Sequence, residues 1–161
     1  MTLLLVLTSL STTAKAHFPP RNTPGSSVAL GITTGPMLNT SSRGTEASFS
    51  GGFYTDIPLL DTFHITPSTT VYRTNNQSQT DISINFKFVV PANKFRIMTG
   101  ISAGLTSNDT LIPHVGVFGG ASFHFVSNLD WFVNVSYLHQ FSQPTSHSVG
   151  ITTGPLFRFS R

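Results

Sequence analysis

The sequence predicts an all-β protein, an eight-stranded antiparallel up-and-down transmembrane β-barrel. Three observations carry that expectation. Apolar and polar residues alternate with a period of two along eight stretches, the signature of strands whose side chains leave on opposite faces. Charged residues make up only 9% of the 161 residues, against roughly 25% in an ordinary soluble domain. Ser, Thr, Gly and Asn supply the polarity instead, while Phe occurs 14 times and Cys not at all.

The length allows one domain. Residues 1–16 (MTLLLVLTSLSTTAKA) are expected to be a secretory signal: Leu3–Leu10 is a short apolar core and Ala14-Lys15-Ala16 a small-x-small cleavage site before His17. That run is shorter than the about 20 apolar residues a spanning helix requires. No Lys or Arg precedes the apolar core, which leaves the true start codon open. Residues 17–26 (HFPPRNTPGS) form an irregular lead-in rich in Pro, and the barrel is expected over 27–161. The net charge of +3 comes from nine basic groups scattered singly, which make no nucleic-acid patch.

The first stretch, Ser27–Asn39, sends Val28, Leu30, Ile32 and Thr34 one way. The second, Glu46–Ile57, sets Ala47, Phe49, Phe53 and Ile57 against Glu46, Ser48, Tyr54 and Asp56. The third, Thr62–Arg73, alternates Phe63, Ile65 and Val71 with His64, Thr66 and Tyr72; Pro67, which lacks a ladder donor, predicts a bulge or break there. The fourth, Thr80–Val90 (TDISINFKFVV), is the purest: Ile82, Ile84, Phe86, Phe88 and Val90 oppose Asp81, Ser83, Asn85 and Lys87. The fifth, Lys94–Leu105, sets Phe95, Ile97, Ile101 and Leu105 against Lys94, Arg96, Gly100 and Ser102. The sixth, Pro113–Val126, sets Val115, Val117, Ala121, Phe123 and Phe125 against His114, Gly116, Gly120 and His124. In the seventh, Asp130–Phe141, the apolar side is Trp131, Val133, Val135, Tyr137 and Phe141. The eighth, Ser148–Ser160, has Val149, Ile151, Phe157 and Phe159 opposite Gly150, Thr152 and Arg158.

Between them, longer polar links are predicted at Thr40–Thr45, Thr74–Gln79, Thr106–Ile112 and Ser142–His147, and tight ones at Leu59–Asp61, Pro91–Asn93 and Ser127–Leu129. Alternating long and short links suit a barrel whose ends face different compartments, with both termini on the short-turn, periplasmic side. The hexapeptide GITTGP occurs at Gly31–Pro36 and at Gly150–Pro155. Either it is coincidence in a Thr/Gly-rich chain, or the first and last strands meet at the closure seam and pair closely through small residues.

Two barrels fit this pattern, one with lipid against the apolar face and one, soluble, with that face as its core. The charge count favours lipid, because a soluble barrel would dress its polar face with Lys and Glu. The few charges on the polar face, Glu46, Asp56 and Asp81 with Lys87, Arg96 and Arg158, are expected to cross-pair inside a narrow lumen too small for a substantial pore. Aromatic residues near strand ends, Phe53, Phe95, Phe125, Trp131, Tyr137, Phe141 and Phe159, are expected to form girdles at the two membrane interfaces.

The run HVGVFGGASFHFVSNLDWFVNVSYLHQ (His114–Gln140) resembles the penultimate hairpin of small outer-membrane β-barrels of the opacity-protein and OmpA/OmpX-like type. There a Gly-rich strand ends in aromatic-x-aromatic, turns through Ser/Asn and re-enters with aromatic and aliphatic residues. The resemblance implies a bacterial outer-membrane location, contact with outer-membrane lipid and lipopolysaccharide, insertion by the barrel-assembly machinery, and a monomer. Such chains usually end on an aromatic residue; here Phe159 is followed by Ser160 and Arg161. Some small barrels modify lipid A, with His and Ser on one strand and a Glu shortly after. His139 and Ser142, or His147 and Ser148, are followed by no Asp or Glu, so no catalytic residue is expected. His114 and His124, ten residues apart on one strand, are more than about 30 Å from each other. They cannot share a metal ion, and they and His64 are expected to serve lumen hydrogen bonding; no cofactor is expected. The expected role is structural or surface-interactive: envelope integrity, adhesion, or lipopolysaccharide contact, with Arg43 and Arg73 on the outer loops placed to meet lipid phosphates. The alternatives are a secreted soluble barrel that binds an apolar ligand among Phe86, Phe88, Phe123 and Phe125, and a lipid A-modifying enzyme.

Overall fold

The structure, a computed structural model, describes residues 27–74, 77–92, 95–108, 110–126 and 128–159. The expected signal (1–16) and lead-in (17–26) lie outside the described residues. Eight antiparallel strands run in chain order: β1 (Ala29–Ser41), β2 (Gly44–Pro58), β3 (Phe63–Thr74), β4 (Gln77–Ala92), β5 (Phe95–Asn108), β6 (Thr110–Val126), β7 (Leu129–Gln140) and β8 (Ser146–Arg158). Each pairs with its sequence neighbours, and β1 closes on β8, so no strand edge is left unpaired.

Period-two alternation is realised as inside and outside. On β1 burial switches at every residue from Ala29 to Leu38, and on β4 Ile82, Ile84, Phe86, Phe88 and Val90 all point outward. Large apolar side chains cover the exterior of every strand; Phe49 is 68% and Ile101 59% exposed. The buried set is mostly polar, from Asp56, His64 and Lys87 to Asp130 and Arg158. That distribution is inverted relative to a soluble domain.

Closure at the seam is a reciprocal contact between the two GITTGP copies. A Cβ added to Gly35 would run into the Ile151 carbonyl, and one added to Gly154 would run into the Ile32 carbonyl. The register centres on Thr34 opposite Thr153, so the copies face each other antiparallel. Inside the barrel, Gly31 makes room for the Tyr54 ring and Gly100 for Phe118, each its cross-strand partner.

The links differ from expectation. Strand pairing continues through most of the residues read as the first three long polar links, leaving only 42–43, 75–76 and 109 between strands there, whereas the fourth, read at Ser142–His147, is the segment 141–145. The Leu59–Asp61 link, expected to be tight, is the four-residue segment 59–62, and only 141–145 is longer. Link length therefore does not distinguish the two ends. Pro67 neither bulges nor breaks β3. It pairs with Ile84 in an unbroken β3–β4 register, while the β2–β3 ladder skips from Tyr54–Ser68 to Ile57–Ile65 without a shift. The missing N–H costs rungs on one side only. The described registers do shift at His124/Val126 in the β6–β7 pairing.

Candidate functional site

The barrel interior carries two side-chain networks, one at each end. At the terminus end, where Ala29 pairs with Arg158, two carboxylates organise everything. Asp56 Oδ1 accepts from Lys87 Nζ at 2.7 Å and from Thr66 Oγ1 at 3.1 Å, and lies 3.1 Å from His64 Nδ1. Asp130 Oδ2 accepts from Arg96 Nη1 at 3.0 Å and from Arg158 Nε at 2.8 Å and Nη2 at 2.6 Å, while its Oδ1 lies 2.9 Å from His124 Nδ1. Both carboxylates are 1% exposed. Tyr54 packs edge-on against Phe132 above them, with ring centroids 5.2 Å apart.

The far-end network gathers neutral side chains around Asp81. Gln140 Nε2 donates to Tyr72 Oη at 3.1 Å and to Thr106 Oγ1 at 3.3 Å, and Tyr72 Oη donates to Asp81 Oδ1 at 3.4 Å. His114 bridges Ser83 (2.9 Å, Nε2) and Thr106 (3.1 Å, Nδ1). Asn39 donates to Ser48 and Thr74 and accepts from Ser148. Between the networks lies a cavity of about 130 Å³ lined by Met37, Ser68, Asn85, Met98, Phe132 and Ser136 among others. It has room for several water molecules.

The expected charge cluster is therefore rearranged. Asp56 and Lys87 meet, but Arg96 and Arg158 turn to Asp130, which the sequence reading left out of the set. Asp81 lies six residues from Lys87 on β4, about 20 Å along the strand, and faces Thr106 and Tyr72 instead. Glu46, opposite Asn39, also belongs to the far end. The signal for Asp130 was present: it shares the parity of Asn134, Ser136 and Gln140. His64, His114 and His124 all make hydrogen bonds on the inner side.

On the exterior, the aromatic side chains crowd the terminus end. Phe63, Phe88, Phe95, Phe123, Phe125, Trp131, Phe157 and Phe159 lie there, with Phe95 edge-on to Phe123 and Trp131 Nε1 donating to Thr153 Oγ1 at 2.8 Å. The far end has Tyr137 and Phe141 beside His139 and His147. Phe53, read as an interface residue, sits mid-strand between Ile32 and Thr69. The two expected girdles are thus unequal.

No protein-family model matches the chain, and no curated protein sequence does. Among solved structures, the fold is similar to Neisserial surface protein A, with a TM-score of 0.72 at 14% identity over 82% of this chain and 97% of that one. The N-terminal β-barrel domain of Pseudomonas aeruginosa OprF (TM-score 0.49, 13% identity, 80% of this chain and 97% of that one) and the attachment invasion locus protein Ail of Yersinia pestis (0.49, 10%, 81% and 99%) also match. The likeness is one of fold. A closed barrel of that fold, apolar on the outside of every strand and polar within, is an outer-membrane β-barrel, because only a bilayer accommodates such an exterior.

Proposed function

We propose that this protein is a monomeric outer-membrane barrel with a structural or surface-interactive role, closed to solutes and without catalysis. The carrying observation is the pair of side-chain networks that span the lumen at both ends, each anchored on side chains from several strands. They support a plugged interior, in keeping with an eight-stranded barrel that is wide enough only for its own side chains. Reconstituted into planar bilayers, the protein is expected to pass no steady ion current; a stable open channel would overturn this reading.

Envelope integrity and contact with lipopolysaccharide are favoured over adhesion, since the far-end links are short and offer little surface to a host partner. Arg43 and Arg73 stand exposed at that rim, where lipid phosphates lie. Loss of the protein should raise sensitivity to detergents and bulky antibiotics, and the Arg43→Ala, Arg73→Ala double variant should restore resistance only partly. Insertion falls to the barrel-assembly machinery, with the terminus end on the periplasmic side. Geometry also supports the absence of catalysis. His147 Nδ1 lies against His139 Nδ1 and Tyr137 Oη, Ser148 is engaged by Asn39 inside the barrel, and the Ser83–His114 contact is buried, with His114 1% exposed. Lipid A from cells expressing the protein should have an unchanged mass spectrum.

A further inference from the structure

On the outer surface near the far rim, β7 and β8 set two donor atoms beside a third, His147 Nδ1. His139 is the register partner of His147, and Tyr137, paired with Val149, reaches His147 on the diagonal. His147 Nδ1 lies 3.2 Å from His139 Nδ1 and 2.7 Å from Tyr137 Oη. The rings are held: Tyr137 stacks on His147 with centroids 5.9 Å apart and planes at 21°, and His139 stands edge-on to Phe141 at 4.8 Å. Neither the lumen networks nor the proposed envelope role uses these side chains.

We propose that Tyr137, His139 and His147 form a binding site for one divalent transition-metal ion, with Cu²⁺ preferred. The hydrogen bond between the two Nδ1 atoms places a proton on one of them; a shift of that ring to its Nε2–H tautomer frees both Nδ1 lone pairs, and a small rotation of each ring turns them to a common point. An ion about 2.0–2.1 Å from each nitrogen sees the 3.2 Å pair at roughly 100° and the 2.7 Å nitrogen–oxygen pair at roughly 80–85°. Those angles suit a tetragonal site better than a tetrahedron. Imidazole nitrogen with oxygen in a tetragonal arrangement is the donor pattern of Cu²⁺ and Ni²⁺, and Cu²⁺ heads the affinity order. Tyr137 ligates as phenolate, so its hydroxyl proton is released to solvent as the ion binds. The remaining coordination positions would be filled by oxygen from water.

The test is titration of the detergent-solubilised full-length chain with Cu²⁺ alone, followed by electron paramagnetic resonance. Wild type should bind one ion per barrel, with an axial spectrum split by two imidazole nitrogens. His139→Gln and His147→Gln should each lose one nitrogen coupling and weaken binding by about 100-fold, at or beyond the upper range for disturbing a supporting residue alone. Tyr137→Phe keeps the stacked ring; it should retain both nitrogens while binding more weakly and releasing fewer protons. His124→Gln, at the opposite end, should leave the spectrum unchanged. A common heat-dependent gel shift across all variants checks that each is folded. Equal Cu²⁺ affinity and spectra in wild type and a His139→Gln, His147→Gln double variant, or no saturable binding at micromolar Cu²⁺, would overturn the proposal and leave a hydrogen-bonded surface cluster.

Discussion

Asp130 joins three strands through one carboxylate, taking Arg96 from β5, His124 from β6 and Arg158 from β8. Arg158 is 6% exposed, so removing its counter-ion leaves a guanidinium without compensation in a place water reaches poorly. Asp130→Ala is expected to cost about 3–5 kcal/mol, the usual result of breaking a buried pair from one side. The measurement is the unfolding midpoint in urea with lipid vesicles present. Asp81→Asn should behave differently. Among the described residues no cation lies within ion-pair distance of Asp81, and the amide oxygen can still accept from Tyr72, so the change should stay within about 1 kcal/mol. This contrast marks what was legible at residue scale. Parity along a strand says that Asp56, Asp81, Asp130 and Lys87 all face inward. It does not say which inward residues meet, because that depends on stagger between strands and on reach across the lumen. Arg96 and Arg158 have two carboxylates within plausible reach, and the registers of β5 and β8 with their neighbours deliver them to Asp130 rather than Asp56.

Strands were the most legible elements and their connections the least. All eight apolar alternations became strands, but several readings stopped short of the paired ends, as at Thr80 on β4 and Pro113 on β6. Pairing does not stop there. Gln77–Gln79 and Thr110–Ile112 lie outside the alternating stretches, yet their backbone groups continue the ladder, since an unpaired donor or acceptor is costly whatever the side chain. Tilted crossings take about 9–11 residues, and β4 at 16 and β6 at 17 residues extend beyond that. The repeated hexapeptide was legible as a seam, though not its reciprocal form, in which the second Gly of each copy sits on the Ile carbonyl of the other. Valine at either position must push the strands apart at the one joint that closes the barrel. Gly35→Val and Gly154→Val should each abolish the compact, heat-modifiable band on gels. Gly44→Ala should weaken it less: Gly44 follows the 42–43 link with open space around it, and its positive φ of 126° is the only strain an Ala meets.

At the scale of the whole molecule, the decisive matter is what touches the exterior. A soluble barrel keeps rings such as Phe49 and Phe125 inside; here they are 68% and 70% exposed, and comparable side chains ring the barrel. A surface of that kind in water would drive association, so hydrocarbon must cover it. A charge placed outward should then be penalised by depth and one placed inward should not. Ile84→Arg is expected to cost about 2–4 kcal/mol near the midplane, whereas Ser136→Lys points into the cavity and should fold. The sequence holds one Trp, so fluorescence reports a single known position. Trp131 lies on the outer face two residues into β7, within the aromatic crowd at the terminus end, its indole N–H tied to Thr153. An indole there belongs at the headgroup boundary, where its apolar body and polar edge are both satisfied. In vesicles made with brominated lipids, bromine near the headgroup should quench Trp131 strongly and bromine near the chain ends weakly, with aqueous iodide having little effect. If both brominated lipids left the emission unchanged, Trp131 would be shielded by protein rather than touching lipid, and the soluble-carrier alternative would return.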